Sequence, residues 1–141
     1  MDTLYLVIPC YNEEEVLPET SKQLLAKMQS LMAAEKISEK SRIVFVNDGS
    51  KDRTWEIIQA LHQENPIYQV CLSRNRGHQN ALLGGLMTVK NHCDMAISLD
   101  ADLQDDIDAI DEMVDKYYAG NDVVYGVRNA RKTDTFFKKF T

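Results

Sequence analysis

Asp100 and Asp102 are the side chains in this sequence whose type and spacing best suit metal chemistry. They follow the apolar run 95–99, which predicts a buried strand. Two carboxylates at this spacing can reach one hard cation, and Mg²⁺ or Mn²⁺ takes oxygen ligands and completes its shell with substrate phosphates. Gln104 can add an amide oxygen or orient a water molecule. The same residues also fit a solvated acidic turn that leads into a helix, an alternative that the neighbouring aspartates favour.

Polar segments follow three further apolar runs. Asp48, within the segment 47–50, is placed to accept hydrogen bonds from a ribose or base, although Asn-Asp-Gly-Ser is also a strong turn sequence. Glu13 can contact a nucleoside, or it can simply stabilise the start of a helix through the helix dipole. Arg74 and Arg76 carry the charge to meet a phosphate, or else form a basic surface loop.

Apolar runs and helical patterns alternate along the chain, and this alternation positions the polar segments. Five strands are predicted from the runs at 4–8, 43–46, 68–72, 95–99 and 123–125. Their alternation with helices predicts an α/β fold with a mainly parallel sheet and helices on both faces. In an open parallel sheet, the segments that follow the strands lie along one edge, where ligands bind. The four polar segments are therefore expected to form one site.

Three local features follow from the same patterns. Asn12 is expected to cap the first helix, whose regular part starts near Pro18. Asp52 is expected to cap the second helix. Gly84 and Gly85 lower helix propensity within the third helix, which indicates close packing there.

The composition narrows the class of protein. The chain has 141 residues, of which 44% are hydrophobic and 27% charged, so one globular domain is expected. A net charge of −6 argues against a nucleic-acid binder, which needs a positive field. Three scattered cysteines without metal-ligand spacing fit a reducing cytosol. The sequence shows neither a signal peptide nor an apolar stretch of about 20 residues, so we expect no membrane span in it.

Two common phosphate-binding loops are absent from the sequence. A Rossmann site needs G-x-G-x-x-G after the first strand, but that position reads Pro-Cys-Tyr-Asn-Glu-Glu-Glu, and a Walker A loop is also missing. Three acids at this position would repel a pyrophosphate. A diphosphate bound here therefore requires a cation, which Asp100 and Asp102 can hold.

Five segments in order resemble the family 2 glycosyltransferases, which have a GT-A fold. They are Val-Ile-Pro-Cys-Tyr-Asn-Glu-Glu at 7–14, Val-Asn-Asp-Gly-Ser-Lys-Asp at 46–52, Ser-Arg-Asn-Arg-Gly-His-Gln-Asn-Ala-Leu at 73–82, Leu-Asp-Ala-Asp-Leu-Gln-Asp at 99–105, and Val-Tyr-Gly-Val-Arg at 124–128. The third and fifth are similar to the polyprenyl-phosphate branch, which includes dolichol-phosphate mannose synthases and undecaprenyl-phosphate glucosyltransferases. Asn47 stands where the family usually has aspartate.

The resemblance implies an enzyme that transfers a hexose, with inversion, from a UDP- or GDP-linked sugar to a polyprenyl phosphate lipid. It implies cell-envelope glycan synthesis at the inner face of the cell membrane. The nucleoside would be contacted by Pro9, Tyr11, Glu13 and Asp48. The metal would be held by Asp100 and Asp102, with Gln104 near it, and the phosphates of donor or acceptor would be faced by Arg128 and Arg131.

The family resemblance also implies how the chain is divided. Relatives continue past this length, so we expect the first part of a catalytic domain, with a nucleotide-binding half at 1–99 and the metal motif and start of an acceptor-binding half at 100–141. The alternatives are a non-catalytic nucleotide-sugar-binding module, a degenerate scaffold domain, and a glycosyltransferase that acts on a saccharide acceptor.

The last residues are basic and aromatic. Between 128 and 141 there are five basic residues and one acid, although the whole chain is acidic. Phe136, Phe137 and Phe140 share a helical face flanked by lysines, which predicts a helix over 131–141. That helix would either lie on a membrane surface or pack against the rest of the domain.

Overall fold

The computed structural model describes residues 1–73, 78–103, 107–120, 123–127 and 134–139, with side chains for 1–73, 84–103 and 107–120. The elements in these residues are β1 (Leu4–Cys10), α1 (Leu17–Ala33), β2 (Arg42–Asn47), α2 (Thr54–Glu64), β3 (Tyr68–Leu72), α3 (His78–Val89), β4 (Met95–Ser98), α4 (Ala109–Tyr118), β5 (Val123–Val127) and β6 (Asp134–Lys139). None of the helices described here combines the length and apolarity needed to cross a bilayer.

β1 lies inside a sheet whose described strands run in the order β3-β2-β1-β4-β6-β5. It pairs in parallel with β2 on one side and β4 on the other, and β2 pairs in parallel with β3. β1 and β4 are buried almost throughout, because parallel strands covered on both faces have no solvent side. The predicted α/β class, with a mainly parallel sheet, is confirmed.

Helices cover both faces of the sheet, again as predicted. Side chains alternate across a strand, so successive residues of β1 pack on opposite sides. Leu6 and Ile8 belong to the core shared with α1, α2 and α4. Val7 packs on the other face, with Leu86 and Val89 of α3. β1 is therefore held between two apolar layers, and its carboxyl end is a fixed point for the loop that follows.

The last two strands depart from the parallel pattern. β5 confirms the predicted fifth strand, but it pairs antiparallel with β6. The helix predicted over 131–141 is wrong for residues 134–139, which form β6 and pair antiparallel with β4. Threonine and phenylalanine favour strands, and β6 gives partners to backbone groups on an edge of β4 that would otherwise be open. The helical face proposed for the phenylalanines is not formed, and 131–133 and 140–141 lie outside the described residues.

Asn12 does not cap α1. The helix begins at Leu17, next to Pro18 as expected, and is preceded by a turn. Asn12 has a left-handed backbone with a φ of 53°. Its Oδ1 accepts a hydrogen bond from the Lys51 N–H at 2.8 Å. The prediction is wrong because this side chain joins two loops instead of closing its own helix.

Gly85 lets α3 approach the sheet closely. A Cβ built on Gly85 would lie 2.8 Å from both Val46 Cγ2 and Val7 Cγ1, whereas one built on Gly84 would meet nothing within 4 Å. Valine methyl groups cannot move aside easily, because a β-branched side chain is stiff. Close packing is therefore confirmed at Gly85 but not at Gly84.

The two glycines form a matched pair for a stability test. Gly84→Ala should raise the free energy of unfolding by about 1 kcal/mol, because alanine is the better helix former. Gly85→Ala gains the same propensity but forces its methyl group against the two valines, at a cost of about 1–3 kcal/mol. Urea denaturation should therefore rank Gly85→Ala below Gly84→Ala by about that cost. Equal stability of the two variants would contradict the close approach.

Candidate functional site

The carboxyl ends of β1, β2, β3 and β4 lie side by side, because these strands are parallel neighbours. Backbone hydrogen bonds continue the pairing into the segments that follow. Asp48 N–H donates to Cys10 O at 2.9 Å, and Leu99 N–H donates to Val7 O at 3.1 Å. The structure therefore brings the first residues of these loops to one edge of the sheet.

The Asp-x-Asp segment forms a turn anchored by the residue between its aspartates. Ala101 is only 2% exposed and belongs to the core, whereas Asp100 is half-buried and Asp102 is exposed. Leu103 N–H donates to Asp100 O at 3.1 Å, and Leu103 has a φ of 46°. A left-handed backbone costs a residue other than glycine roughly 1–2 kcal/mol. The surrounding contacts hold the turn in spite of that cost.

Thr20 of α1 reaches this turn from the neighbouring helix. Its Oγ1 donates to Ala101 O at 2.6 Å, and the threonine is 3% exposed. Thr20 is absent from the predicted site, although the sequence carries a signal for it. The buried residues Leu17, Leu24 and Met28 define the inner stripe of α1, and Thr20 lies on the same stripe. A polar residue in a buried stripe needs a partner, because burying an unpaired hydroxyl is costly.

The loop after β1 is held by side chains of the loop after β2. Glu13 N–H donates to Thr54 Oγ1 at 2.7 Å, and Glu14 N–H donates to Asp52 Oδ2 at 3.3 Å. Asp52 Oδ1 also accepts from Thr54 N–H at 2.9 Å, so it acts at the start of α2, although the N-cap residue itself is Arg53. Desolvation acts to raise the pKa of Asp52, but hydrogen bonds from Thr54 and Glu14 lower it below its ordinary value.

A second set of bonds joins the same two loops closer to solvent. Asn12 N–H donates to Ser50 Oγ at 3.0 Å, and the Asn12 side chain accepts from Lys51 as described above. Ser50 N–H in turn donates to Asn47 Oδ1 at 3.3 Å, across a turn in which Gly49 has a φ of 72°. Asn47 thus closes the turn where the family usually has aspartate.

Negative charge is concentrated at this edge. The pKa of Glu13 is raised to about 7, first by partial burial and then by the charges of Asp102, Asp100 and Asp52. The three aspartates are therefore close enough to Glu13 to oppose the ionisation of its carboxyl group. An arrangement of this kind suits a cation, and a partly buried carboxyl of this kind is typical of functional sites.

Cys10, at the end of β1, acts as a small apolar residue. Burial raises the pKa of its thiol well above the ordinary value, and the charge of Glu13 raises it further. The thiol donates to Ile8 O at 3.3 Å. It therefore stays neutral and is unsuited to act as a nucleophile.

The structure places the other predicted site residues as follows. Pro9 is buried within β1, the Tyr11 side chain is 51% exposed beside it, and Asp48 is half-buried. Among the side chains described, no three histidine, cysteine or carboxylate groups converge to hold a metal ion. Four predicted residues lie outside the described part of the chain: Arg74, Gln104, Arg128 and Arg131.

Comparison with known proteins identifies the family. Residues 5–141 match the model of glycosyl transferase family 2. An uncharacterized glycosyltransferase of Bacillus subtilis, YkoT, is 52% identical over 98% of this chain and 41% of its own length. A bactoprenol glucosyl transferase of Shigella phage SfV is 39% identical over 96% of this chain and 42% of its own length. The chain belongs to glycosyl transferase family 2, and it spans about two fifths of the length of these relatives.

A solved structure supports the fold. The mannosyltransferase PcManGT from Pyrobaculum calidifontis, in complex with GDP-Man and Mn²⁺, superposes with a TM-score of 0.62 at 17% identity, over 96% of this chain and 44% of that one. At this identity the likeness shows the fold alone. The GT-A fold implied by the sequence motifs is confirmed.

Glu13 should make stability depend on pH. The ordinary pKa of glutamate is 4.5, and the folded chain raises it to about 7, so the folded state binds the extra proton between these values. Stability from this group is therefore lost as pH rises through that window. In the presence of a chelator, Glu13→Gln and the wild type should have the same free energy of unfolding near pH 4.5. Above about pH 7 the variant should have the higher free energy of unfolding. Urea denaturation at several pH values measures this, and a pH-independent difference between the two proteins would contradict it.

Proposed function

We propose that this chain binds the sugar donor in an inverting glycosyltransferase that transfers a hexose from a UDP- or GDP-linked sugar to a polyprenyl phosphate. The observation that carries the proposal is that the parallel pairing of β1, β2 and β4 brings the acidic cluster of Glu13, Asp52, Asp100 and Asp102 to the carboxyl edge of the sheet. A diphosphate alone would be repelled by this cluster. A diphosphate with a divalent cation is attracted to it, so the cluster suits a nucleotide donor that arrives with a metal.

Asp100 and Asp102 would hold the cation, with Gln104 beside them. Their carboxylate oxygens are the ligands that Mg²⁺ and Mn²⁺ prefer, and water and donor phosphates would fill the remaining positions. When bound, the cation would stabilise the negative charge of the leaving nucleoside diphosphate. The presence of GDP-Man and Mn²⁺ in the PcManGT complex supports the choice of cofactor.

The loops after β1 and β2 would bind the nucleoside. Tyr11 offers an exposed aromatic ring directly after β1, and Pro9 is buried near the end of that strand. Glu13 and Asp48 lie at neighbouring strand ends and can accept hydrogen bonds from a base or ribose. Arg74, which follows β3, would meet the diphosphate.

The acceptor determines what catalysis requires. A sugar hydroxyl needs a general base to remove its proton, whereas a lipid phosphate is already ionised at neutral pH. An oxygen of that phosphate would attack the anomeric carbon while the bond to the nucleoside diphosphate breaks, so the configuration inverts and no proton is transferred. Arg128 and Arg131 would orient the acceptor phosphate. The bactoprenol glucosyl transferase among the relatives supports this class of acceptor.

The same proposal divides the chain and locates the enzyme. Residues 1–99 would form the nucleotide-binding half, and residues 100–141 would carry the metal motif and begin the acceptor-binding half. The lipid acceptor would bring the enzyme to the cytoplasmic face of the membrane. This location does not depend on a membrane-surface helix over 131–141.

Asp102→Asn tests the metal and the donor together. Calorimetry of UDP and GDP, with and without Mn²⁺, should show that Mn²⁺ strengthens binding of one of them to the wild type. Asp102→Asn should weaken this Mn²⁺-dependent binding by at least about tenfold, because loss of a direct ligand costs more than loss of a group that supports one. Binding of the free nucleoside should stay unchanged.

Glu39→Gln is the matched control for charge. It also removes one carboxylate, but it precedes β2 and lies at the opposite edge of the sheet. Its Mn²⁺-dependent affinity should equal that of the wild type. Equal affinity of Asp102→Asn and the wild type would overturn the proposed metal site.

A further inference from the structure

We infer that Thr20 is a positioning residue for the metal-binding turn, an inference that rests on the proposed function. Its hydroxyl donates to Ala101 O at 2.6 Å, and Ala101 lies between the two aspartates. Thr20 lies on α1 and is not among the residues proposed to bind the donor or the metal. Its effect on donor binding must therefore pass through the peptide group that it holds.

The bond fixes the peptide plane that joins Ala101 to Asp102. Because the Ala101 carbonyl is held from outside the turn, the backbone orientation of Asp102 is also restrained. The direction of the Cα–Cβ bond of Asp102 depends on that orientation. Two backbone hydrogen bonds of the described residues restrain other parts of the turn. Leu99 N–H is bonded to Val7 O before it, and Leu103 N–H is bonded to Asp100 O across it. Neither of these bonds holds the Ala101 carbonyl.

The surroundings make this restraint strong. Thr20 is 3% exposed and Ala101 is 2% exposed, so water does not readily replace the hydroxyl as the partner of the carbonyl. The turn also contains Leu103 in a left-handed conformation, which the chain would relax if it were free to do so. Without the hydroxyl, the turn should therefore shift or exchange between arrangements.

Another contact shows that α1 serves as the support for this whole segment. Lys27, two turns further along α1, forms ion pairs with Asp108 at 2.9 Å and with Asp111 at 2.5 Å, where α4 begins. α1 therefore holds the polypeptide on both sides of residues 104–106. Thr20 is the contact nearest to the aspartates, and for this reason it is the residue to test.

The expected effect is selective. Thr20→Val keeps the size of the side chain but removes the hydroxyl, and it should weaken Mn²⁺-dependent binding of the nucleotide by about tenfold, at the lower end of what groups supporting a metal ligand contribute. Binding of the free nucleoside without metal should change less than about twofold. Thr20→Ser restores the hydroxyl and should restore Mn²⁺-dependent affinity. Thr20→Ala removes the same hydroxyl with less bulk and should give the same result if the valine variant does not fold.

Ser41→Ala is the matched control for a buried hydroxyl. Ser41 is fully buried, and its Oγ accepts from Leu4 N–H at 2.9 Å at the opposite edge of the sheet. Its loss should lower stability without affecting Mn²⁺-dependent binding. A metal-free measurement completes the test: with a chelator present, hydrogen exchange at residues 100–103 should accelerate in Thr20→Val but not in Ser41→Ala.

The outcomes separate this inference from the proposed function. If Asp102→Asn loses Mn²⁺-dependent binding and Thr20→Val and Thr20→Ala do not, the positioning role is wrong and the metal site stands. If Thr20→Val and Ser41→Ala weaken binding equally, the effect is one of general stability and the inference is also wrong. If exchange at 100–103 accelerates in Thr20→Val while Asp102→Asn binds like the wild type, Thr20 holds the turn but the turn does not bind the metal.

Discussion

Parallel pairing of β1, β2 and β4 is the constraint that brings the acidic loops of this chain to one edge of the sheet. Glu13, Asp52, Asp100 and Asp102 come from three different loops, and the pKa of Glu13 is raised to about 7, first by partial burial and then by the charges of the three aspartates. The proposed binding of a metal and a diphosphate depends on the carboxylates that these loops bring together.

Each acidic loop is restrained by side chains from a neighbouring element. Thr54 and Asp52 accept the backbone N–H groups of Glu13 and Glu14, and Thr20 donates to the carbonyl between the two metal-binding candidates. These bonds hold the backbone of the loops that carry Glu13, Asp100 and Asp102. The apolar layers on both faces of β1 fix the strand ends from which the loops start. The acidic edge is thus held by two hydroxyl groups, by the Asp52 carboxylate and by packing.

Much of this arrangement could be predicted from the sequence. Continuous apolar runs mark strands buried on both faces, and parallel order then brings the loops of Asp48 and Asp100 to one edge. The role of Asn12 could not be predicted, because its partner Lys51 is far away in sequence. The strand β6 could not be predicted, because closely spaced phenylalanines fit a helix or a strand. Residues 134–139 form a strand because they pair with the edge of β4. Thr20 could have been found, since it interrupts a buried apolar stripe.

The central claim is that a nucleotide and a divalent cation bind together at the acidic edge. Paramagnetic broadening of backbone amide signals by Mn²⁺, in the isotope-labelled chain with UDP or GDP, tests it most directly. The account predicts nucleotide-dependent broadening at residues 10–13, 48–50 and 100–103, while residues 2–4 and 38–42 at the opposite edge stay sharp. Broadening that is the same with and without nucleotide, or that is strongest at residues 2–4 and 38–42, would contradict the account.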